Sequence, residues 1–472
     1  MTTTASPARP PSRDDRSSTA VGMFPGLGSR AAYRNLDRSL LDSGIPAVTE
    51  VYRAGAQAMG FGDRHDRLIM VPKNLPQGRL AQQGFIGGAF VVHNLALHAH
   101  LNATAALPVA FSAYTGESFG ILLAAAASGA LEVEHCVALG HIFTPLMLLA
   151  AEGPTDEPLA QQLIAYQPDS LRGSRLVPEP AHVVAVRADP SVLTALRADI
   201  EDTWGAGDVE LHKIYSSRQI NLYVHPRVRH DLAAVVAGYA GVELEELKTP
   251  TTFLAHSQRM RGVRAALSRY MDAHDIAFRD PHTPVIANAG ARLLTTGAEI
   301  RDAVLAMTDQ IMDSRGTVAT VDNLAPDLVV ELGLGGRAAE LLSDNDVQAP
   351  VIAYTGPCAP ADQFIQIVGL VGQVRTHLSE LDRPDAALTA EHLDTLRALF
   401  RVADTSPVGA RYVRRTMSRI VLEEMLDRQH TSSSAYYDLL EICQHTTTYR
   451  ADIDIAAGEL VTRATDQEAR SG

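Results

Sequence analysis

The chain has 472 residues, with 41 Lys and Arg against 55 Asp and Glu, for a formal net charge of −14. Hydrophobic residues make up 46% and charged residues 20%, which excludes wholesale disorder, and the acid excess argues against a nucleic-acid partner, whose phosphates need clustered cations. At roughly 150 residues per domain the length corresponds to about three folding units. Residues 1–20 are polar and Pro/Ser/Thr-rich, lack an apolar stretch, and read as a disordered tail and not a signal peptide. Val21-Gly22-Met23-Phe24 is a short buried strand running into the glycine turn Pro25-Gly26-Leu27-Gly28-Ser29. Helical periodicity follows to about Met59, and a second helical run covers Ala81 to Leu101. The longest apolar stretch, Phe85 to Leu101, is broken by Gly87, Gly88, His93, Asn94, His98 and His100, so no membrane span is expected.

Pro108 to Tyr114 reads as a strand, Thr115 to Gly120 as a sharp turn, and Ile121 to Ala130 as a small-residue apolar helix of the kind that packs closely on a sheet. Glu152 to Arg175 is Pro/Gly/Gln-rich and reads as a surface excursion. From His182 the order changes to strand (His182–Val186), helix (Pro190–Ile200), two strands (Val209–Ser216 and Gln219–Val224), helix (Val228–Ala240) and strand (Glu243–Thr249). That βαββαβ order is ferredoxin-like. The α/β pattern resumes with strands at Thr283–Asn288 and Leu328–Leu332, and from about Leu378 the chain becomes charged and helical. The expected architecture is α/β. A large α/β-hydrolase-like subdomain (21–180 and 251–375) carries an inserted ferredoxin-like small subdomain (181–250), followed by a helical C-terminal extension (376–472).

Gly116-Glu117-Ser118-Phe119-Gly120 is a G-x-S-x-G between an apolar strand and a small-residue helix. In a nucleophile elbow the serine sits on a strained strand-to-helix turn, where the backbone N–H groups at the helix start face a developing oxyanion. The plainer reading of the same residues is a packing turn. A nucleophilic serine needs a base, and the chain holds 17 histidines. His256 follows the inserted unit in a loop that can return to the strand ends; a surface histidine is the plainer alternative. His93, His98 and His100 share one predicted helix, but no carboxylate or cysteine completes a ligand set there, so no metal site is expected. The three cysteines, Cys136, Cys358 and Cys443, form no C-x-x-C, which fits a reducing, cytoplasmic compartment.

Five of these segments, in order, resemble the malonyl-CoA:acyl-carrier-protein transacylase family, which includes polyketide synthase acyltransferase domains. Phe24-Pro25-Gly26-Leu27-Gly28-Ser29 is similar to its F-P-G-Q-G-S opening, Gly116 to Gly120 to G-H-S-L-G, and Tyr215-Ser216-Ser217-Arg218-Gln219 to N-S-P-x-Q. Phe253-Leu254-Ala255-His256-Ser257 is similar to H-A-F-H-S, and Val330-Glu331-Leu332-Gly333-Leu334-Gly335 to x-E-x-G-P-G. The resemblance covers about Val21 to Gly372. It implies an S-acyltransferase in which Ser118 attacks an acyl thioester and His256 relays its proton. Backbone N–H groups of Leu27 and Phe119 would form the oxyanion hole, and the Gln310 carbonyl would orient His256. Substrates would be phosphopantetheine thioesters on coenzyme A or on an acyl carrier protein, with no bound cofactor.

The departures bear on specificity. The position of the arginine that pairs with a malonyl carboxylate in the family falls on Phe143, and no arginine occurs between Ser118 and Arg172. The residue before the nucleophile is Glu117, and the specificity tetrad reads Phe253, Leu254, Ala255, His256. Burying an unpaired carboxylate costs several kcal/mol, so these changes point to a non-carboxylated acyl group. Three other readings stay open: an editing thioesterase using the same Ser/His pair, a non-catalytic carrier-binding scaffold, and an ordinary α/β-hydrolase. In the C-terminal region Arg411, Arg414, Arg415 and Arg419 fall on one helical stripe, either a docking face for an acidic carrier protein or a solvated face paired with Glu423, Glu424 and Asp427. Tyr436, Tyr437, Leu439, Leu440 and Ile442 form an apolar stripe suited to packing or a homodimer contact.

Overall fold

In the computed structural model, residues 19–27, 39–69, 75–104 and 110–354 are described, apart from 170–171, 173–174, 178, 206, 334–340, 343, 346 and 350. The predicted tail up to residue 18, the helical extension 376–472 with Arg411, Arg414, Arg415 and Arg419, and its apolar stripe lie outside the described residues.

A six-stranded sheet holds β1 (Thr19–Phe24), β2 (Ala110–Gly116), β7 (Val285–Ile286), β8 (Leu293–Leu294), β10 (Leu328–Leu332) and β11 (Val351–Tyr354). Their order is β11-β10-β1-β2-β7-β8, with every pairing parallel except β7 to β8. Period-two alternation sends Ala20 and Phe24 to the core on one face and Val21 and Met23 to the core on the other. Both faces are covered, as a parallel sheet requires. The larger core packs the sheet against α1 (Pro46–Ala58), α2 (Arg79–Ala103), α3 (Gly120–Ala127), α4 (Val133–Glu152) and α8 (Arg261–Ala273). The smaller uses Val318 and Val321 of α10 (Ser314–Asn323). Ile121 to Ala125 of α3 are all fully buried, so this stretch is apolar on every side because it has no solvent face.

The second sheet contains β3 (Ala181–Arg187), β4 (Val209–Ser216), β5 (Gln219–Val224), β6 (Glu243–Thr251) and β9 (Met312–Asp313). Its order is β6-β3-β5-β4-β9. With α6 (Pro190–Thr203) and α7 (Arg229–Ala237) the first four strands make the βαββαβ unit expected from the sequence. Leu193, Leu196, Ile200, Leu232 and Val236 of the two helices cover Val184, Val186, Ile220 and Leu222. β9 was not foreseen. It pairs parallel with β4, Lys213 opposite Met312, so a segment far along the chain completes the small sheet.

Several predicted limits shift. β1 begins at Thr19, and β2 runs on to Gly116 because Phe24 pairs with Gly116. The expected strand Thr283–Asn288 shortens to Val285–Ile286, since Pro284 has no N–H to pair. The helix after the elbow stops at Ala127, just ahead of Gly129 at φ +81°. Of the helical run expected up to Met59, the described residues hold a 3-10 turn at Leu41–Ser43 and, past Gly44 at φ 71°, α1 from Pro46; residues 28–38 lie outside the described residues. The expected surface excursion contains a short helix, α5 (Pro158–Ile164), with a proline in its first turn and Ala160 and Leu163 buried three apart. One helix among the described residues, α4, is long and apolar enough to cross a membrane, and 72% of its apolar window is buried inside the protein against its neighbours.

Candidate active site

The elbow forms where β2 ends against β1. Glu117 N–H donates to the Phe24 carbonyl at 2.8 Å, and Gly120 N–H to the Glu117 carbonyl at 2.8 Å. The chain turns so tightly that a Cβ on Gly116 would stand 2.2 Å from the backbone of Gly120, and one on Gly120 would stand 2.5 Å from the Phe24 oxygen. Both glycines are therefore required by close approach. Ser118, at the apex, has φ 53°, a conformation that ordinary side chains resist. Asn288, which is buried, steadies it by donating from Nδ2 to the Ser118 carbonyl at 2.7 Å.

His256 comes from the loop after β6 and is also left-handed, at φ 65°. Its N–H donates to the Thr308 carbonyl at 2.9 Å. The next turn is anchored by Glu210 of β4, whose carboxylate accepts from Ser257 Oγ at 2.6 Å and from the Gln258 N–H. Tyr223 Oη donates to the Ala255 carbonyl at 2.9 Å. The result brings His256 Nε2 within 2.7 Å of Ser118 Oγ, and His256 Nδ1 within 3.0 Å of the Gln310 carbonyl. Since that carbonyl can only accept, Nδ1 carries the proton and Nε2 presents a lone pair to the serine. Burial, above all, holds the His256 pKa down at about 4; the Gln310 carbonyl raises it, nearby Lys213 lowers it and Glu117 raises it. The imidazole is thus a neutral base at ordinary pH.

Leu27 and Phe119 frame the other side. A Cβ on Gly26 would stand 2.8 Å from the Glu117 oxygen and 3.6 Å from Ser118 Cβ, so the residue next to Leu27 touches the elbow. Phe119 leads into α3, and its ring, fully buried, packs on Phe143 with centroids 5.4 Å apart. Phe143 therefore fills apolar space beside the elbow. Of the tetrad, Leu254 is fully buried in the main core, Ala255 is buried and Phe253 is half-buried against that core.

One expectation needs correcting. The departures in sequence leave the pocket without a cation, but Lys213 Nζ lies 2.8 Å from Glu117 Oε1, with both side chains largely buried. The ammonium also sits 4.6 Å from the centre of the Tyr215 ring. Lys213 escaped notice because it lies 96 residues away on the other sheet; its one sequence signal was being a lysine within a predicted strand of the small unit. His212, its neighbour on β4, stacks on Tyr223 with centroids 4.0 Å apart, and burial above all, with the nearby Lys213 and Lys248 ammonium groups, keeps it neutral. Asn288 and Glu210 were also missed; each is a buried polar residue in a predicted strand or next to one. Of the helix histidines, His98 meets Tyr114 Oη at 2.8 Å and His100 meets Tyr354 Oη, so these two serve packing.

No family model matches the chain, and no curated protein does. Solved structures do. A transacylase for malonyl-CoA and acyl carrier protein from Coxiella burnetii is 18% identical with a TM-score of 0.53, over 72% of this chain and 94% of that one. FabD from Acinetobacter baumannii is 19% identical with a TM-score of 0.55, over 75% and 99%. The acyltransferase domain from the second module of the salinomycin polyketide synthase is 18% identical with a TM-score of 0.54, over 75% and 73%. At this identity the likeness is one of fold: the chain has the α/β architecture of these acyltransferases.

Proposed function

We propose that this protein is an S-acyltransferase that moves an acyl group, through an ester on Ser118, between thioesters of coenzyme A or an acyl carrier protein. The observation that carries this reading is the relay from Ser118 Oγ to His256 Nε2 at 2.7 Å and from His256 Nδ1–H to the Gln310 carbonyl at 3.0 Å, built on a left-handed serine. The fold it shares with acyltransferases supports it, and one solved structure of the same fold is a transacylase in complex with an acyl carrier protein.

Ser118 Oγ attacks the thioester carbonyl while its proton passes to His256 Nε2. The tetrahedral oxyanion accepts from the Leu27 and Phe119 N–H groups, neither of which has an acceptor among the described residues. Collapse expels the thiolate, which takes the proton from His256. A second phosphopantetheine thiol then gives its proton to His256 and attacks the ester in reverse. Two features favour an uncharged acyl chain: Phe143 stands as buried aromatic surface beside the elbow, and Lys213, whose ammonium reaches the residue before the nucleophile, is already paired with Glu117. We place its action in a reducing cytoplasm, with which the buried free thiol of Cys136 is compatible.

Intact-mass spectrometry with malonyl-, acetyl-, butyryl- and hexanoyl-CoA tests this. A covalent acyl adduct is expected with the neutral chains, absent in Ser118→Ala, and transferable to a holo carrier protein. Faster labelling by malonyl-CoA would overturn the chain preference, and steady release of free acid with no transfer would make the protein a thioesterase.

A further inference from the structure

We propose that Glu117 and Lys213 form an internal ion pair that sets acyl selectivity, the Glu117 carboxylate occupying the Lys213 ammonium in place of a substrate carboxylate. The inference rests on the acyl-transfer reading above and assigns a specificity role to two residues of the same site. Three observations carry it. The pair spans the two sheets: Glu117 directly precedes the nucleophile on the elbow, and Lys213 lies on β4 in register with Met312 of β9. The contact is 2.8 Å, and the side chains retain only 18% and 10% of their exposure, so solvent screens it weakly. Lys213 is further held over the Tyr215 ring, and Tyr215 is itself tied by its hydroxyl to Asp344 Oδ2 at 2.8 Å. The ammonium is therefore fixed on two sides, facing the charge that Glu117 supplies.

Consider what each charge would do alone. An ammonium beside Ser118 without Glu117 is a ready partner for an acyl carboxylate. A carboxylate without Lys213 repels one. Together they present a neutral, polar wall, and a carboxylated acyl chain entering it must compete with Glu117 for the ammonium. Arg259 at the His256 loop is met differently: its Nε lies 3.4 Å from a Glu210 carboxylate that already accepts from Ser257 and Gln258, and Nε and one terminal nitrogen are buried without a hydrogen-bond partner among the described residues. At Lys213 the seam thus compensates its positive charge from inside, and the substrate class this pair favours is an acyl group without ionised substituents.

The test is the ratio of malonyl to butyryl labelling of Ser118, read by intact mass at early times and normalised to wild type. Glu117→Gln keeps the shape and frees Lys213; the ratio is expected to rise at least tenfold. Glu117→Gln with Lys213→Met removes both charges and is expected to return the ratio to within threefold of wild type. Glu117→Asp, which keeps the charge, should stay near wild type. An unchanged ratio in Glu117→Gln overturns the proposal. So does a gain that survives in the double variant, which would put the responsible cation elsewhere, at Arg259 first. If Glu117→Gln fails to fold, Glu117→Ala, which also frees Lys213, decides: a tenfold gain that is lost on adding Lys213→Met upholds the pair's role, and an unchanged ratio overturns it. The wild-type panel judges the neutral-chain reading separately, because the proposal concerns only the change on substitution; no labelling of any variant by any thioester would sink both.

Discussion

Ser118 and His256, 138 residues apart, both hold their backbones in the left-handed region, at φ 53° and 65°, and their side chains meet at 2.7 Å. Such conformations cost of order 1–3 kcal/mol each and persist only where surrounding contacts hold them. Here the contacts are visible: Asn288 grips the carbonyl of one residue and Thr308 accepts the N–H of the other. The strain is the means by which two side chains on separate loops are aimed at each other.

Removing either partner should stop the chemistry while sparing the fold. Ser118→Ala is expected to abolish the acyl adduct, and His256→Ala to slow acylation by about 10²–10⁴-fold, the usual worth of a general base. Ser118→Gly relieves the left-handed strain, so it should melt no lower than Ser118→Ala. Quenched-flow mass spectrometry and thermal melts read the two effects.

Asn288→Ala takes a donor from the partly buried Ser118 carbonyl and should cost about 1–3 kcal/mol of stability or its equivalent in acylation rate. Because the hydrogen bond positions the nucleophile, the loss should fall on kcat, with KM for the acyl-CoA nearly unchanged. An equal loss in both would place Asn288 in substrate binding instead.

Gly120→Ala brings a methyl to 2.5 Å from the Phe24 oxygen, and Gly116→Ala brings one to 2.2 Å from the Gly120 backbone. Neither neighbour is a flexible side-chain tip, so the elbow itself must open. Each variant should lose at least about 1–3 kcal/mol in denaturant melts together with most of its acylation.

The pH dependence follows from the burial of His256. With its pKa held down at about 4, the base form persists at neutral and mildly acidic pH. Acylation should be flat from pH 8 to about 5 and fall only near pH 4. Stability moves the other way from a salt-bridged histidine. The unfolded chain takes up this proton below its ordinary value of 6.5 while the folded chain does not, so stability declines as pH falls from 6.5 toward 4, by up to about 3 kcal/mol from this group. Urea melts at pH 7 and 4.5 measure the slope, and His256→Gln should lessen it, the rest coming from other buried histidines such as His98 and His212.

Much of the fold is legible in the residues. The limits of Val209–Ser216, Gln219–Val224 and Leu328–Leu332 are those of the observed strands, because alternation and glycine or proline punctuation mark them locally. The elbow is legible too, since strand, G-x-S-x-G and small-residue helix are contiguous. What the order of residues could not carry is pairing across the two sheets. Nothing local says that Met312 would join β4, that Asn288 would reach Ser118 over 170 residues, or that Lys213 would neutralise Glu117.

The amino-acid order by itself determined the two units, the turn that carries Ser118 and the short choice of residues able to do acyl chemistry, because those depend on periodicity and steric demands within a few residues. Only the tertiary structure decided which of 17 histidines faces the serine and whether the acid beside it stands alone, because electrostatic partnership depends on distance in space, and folding brings Lys213 and His256 to the elbow from far along the chain.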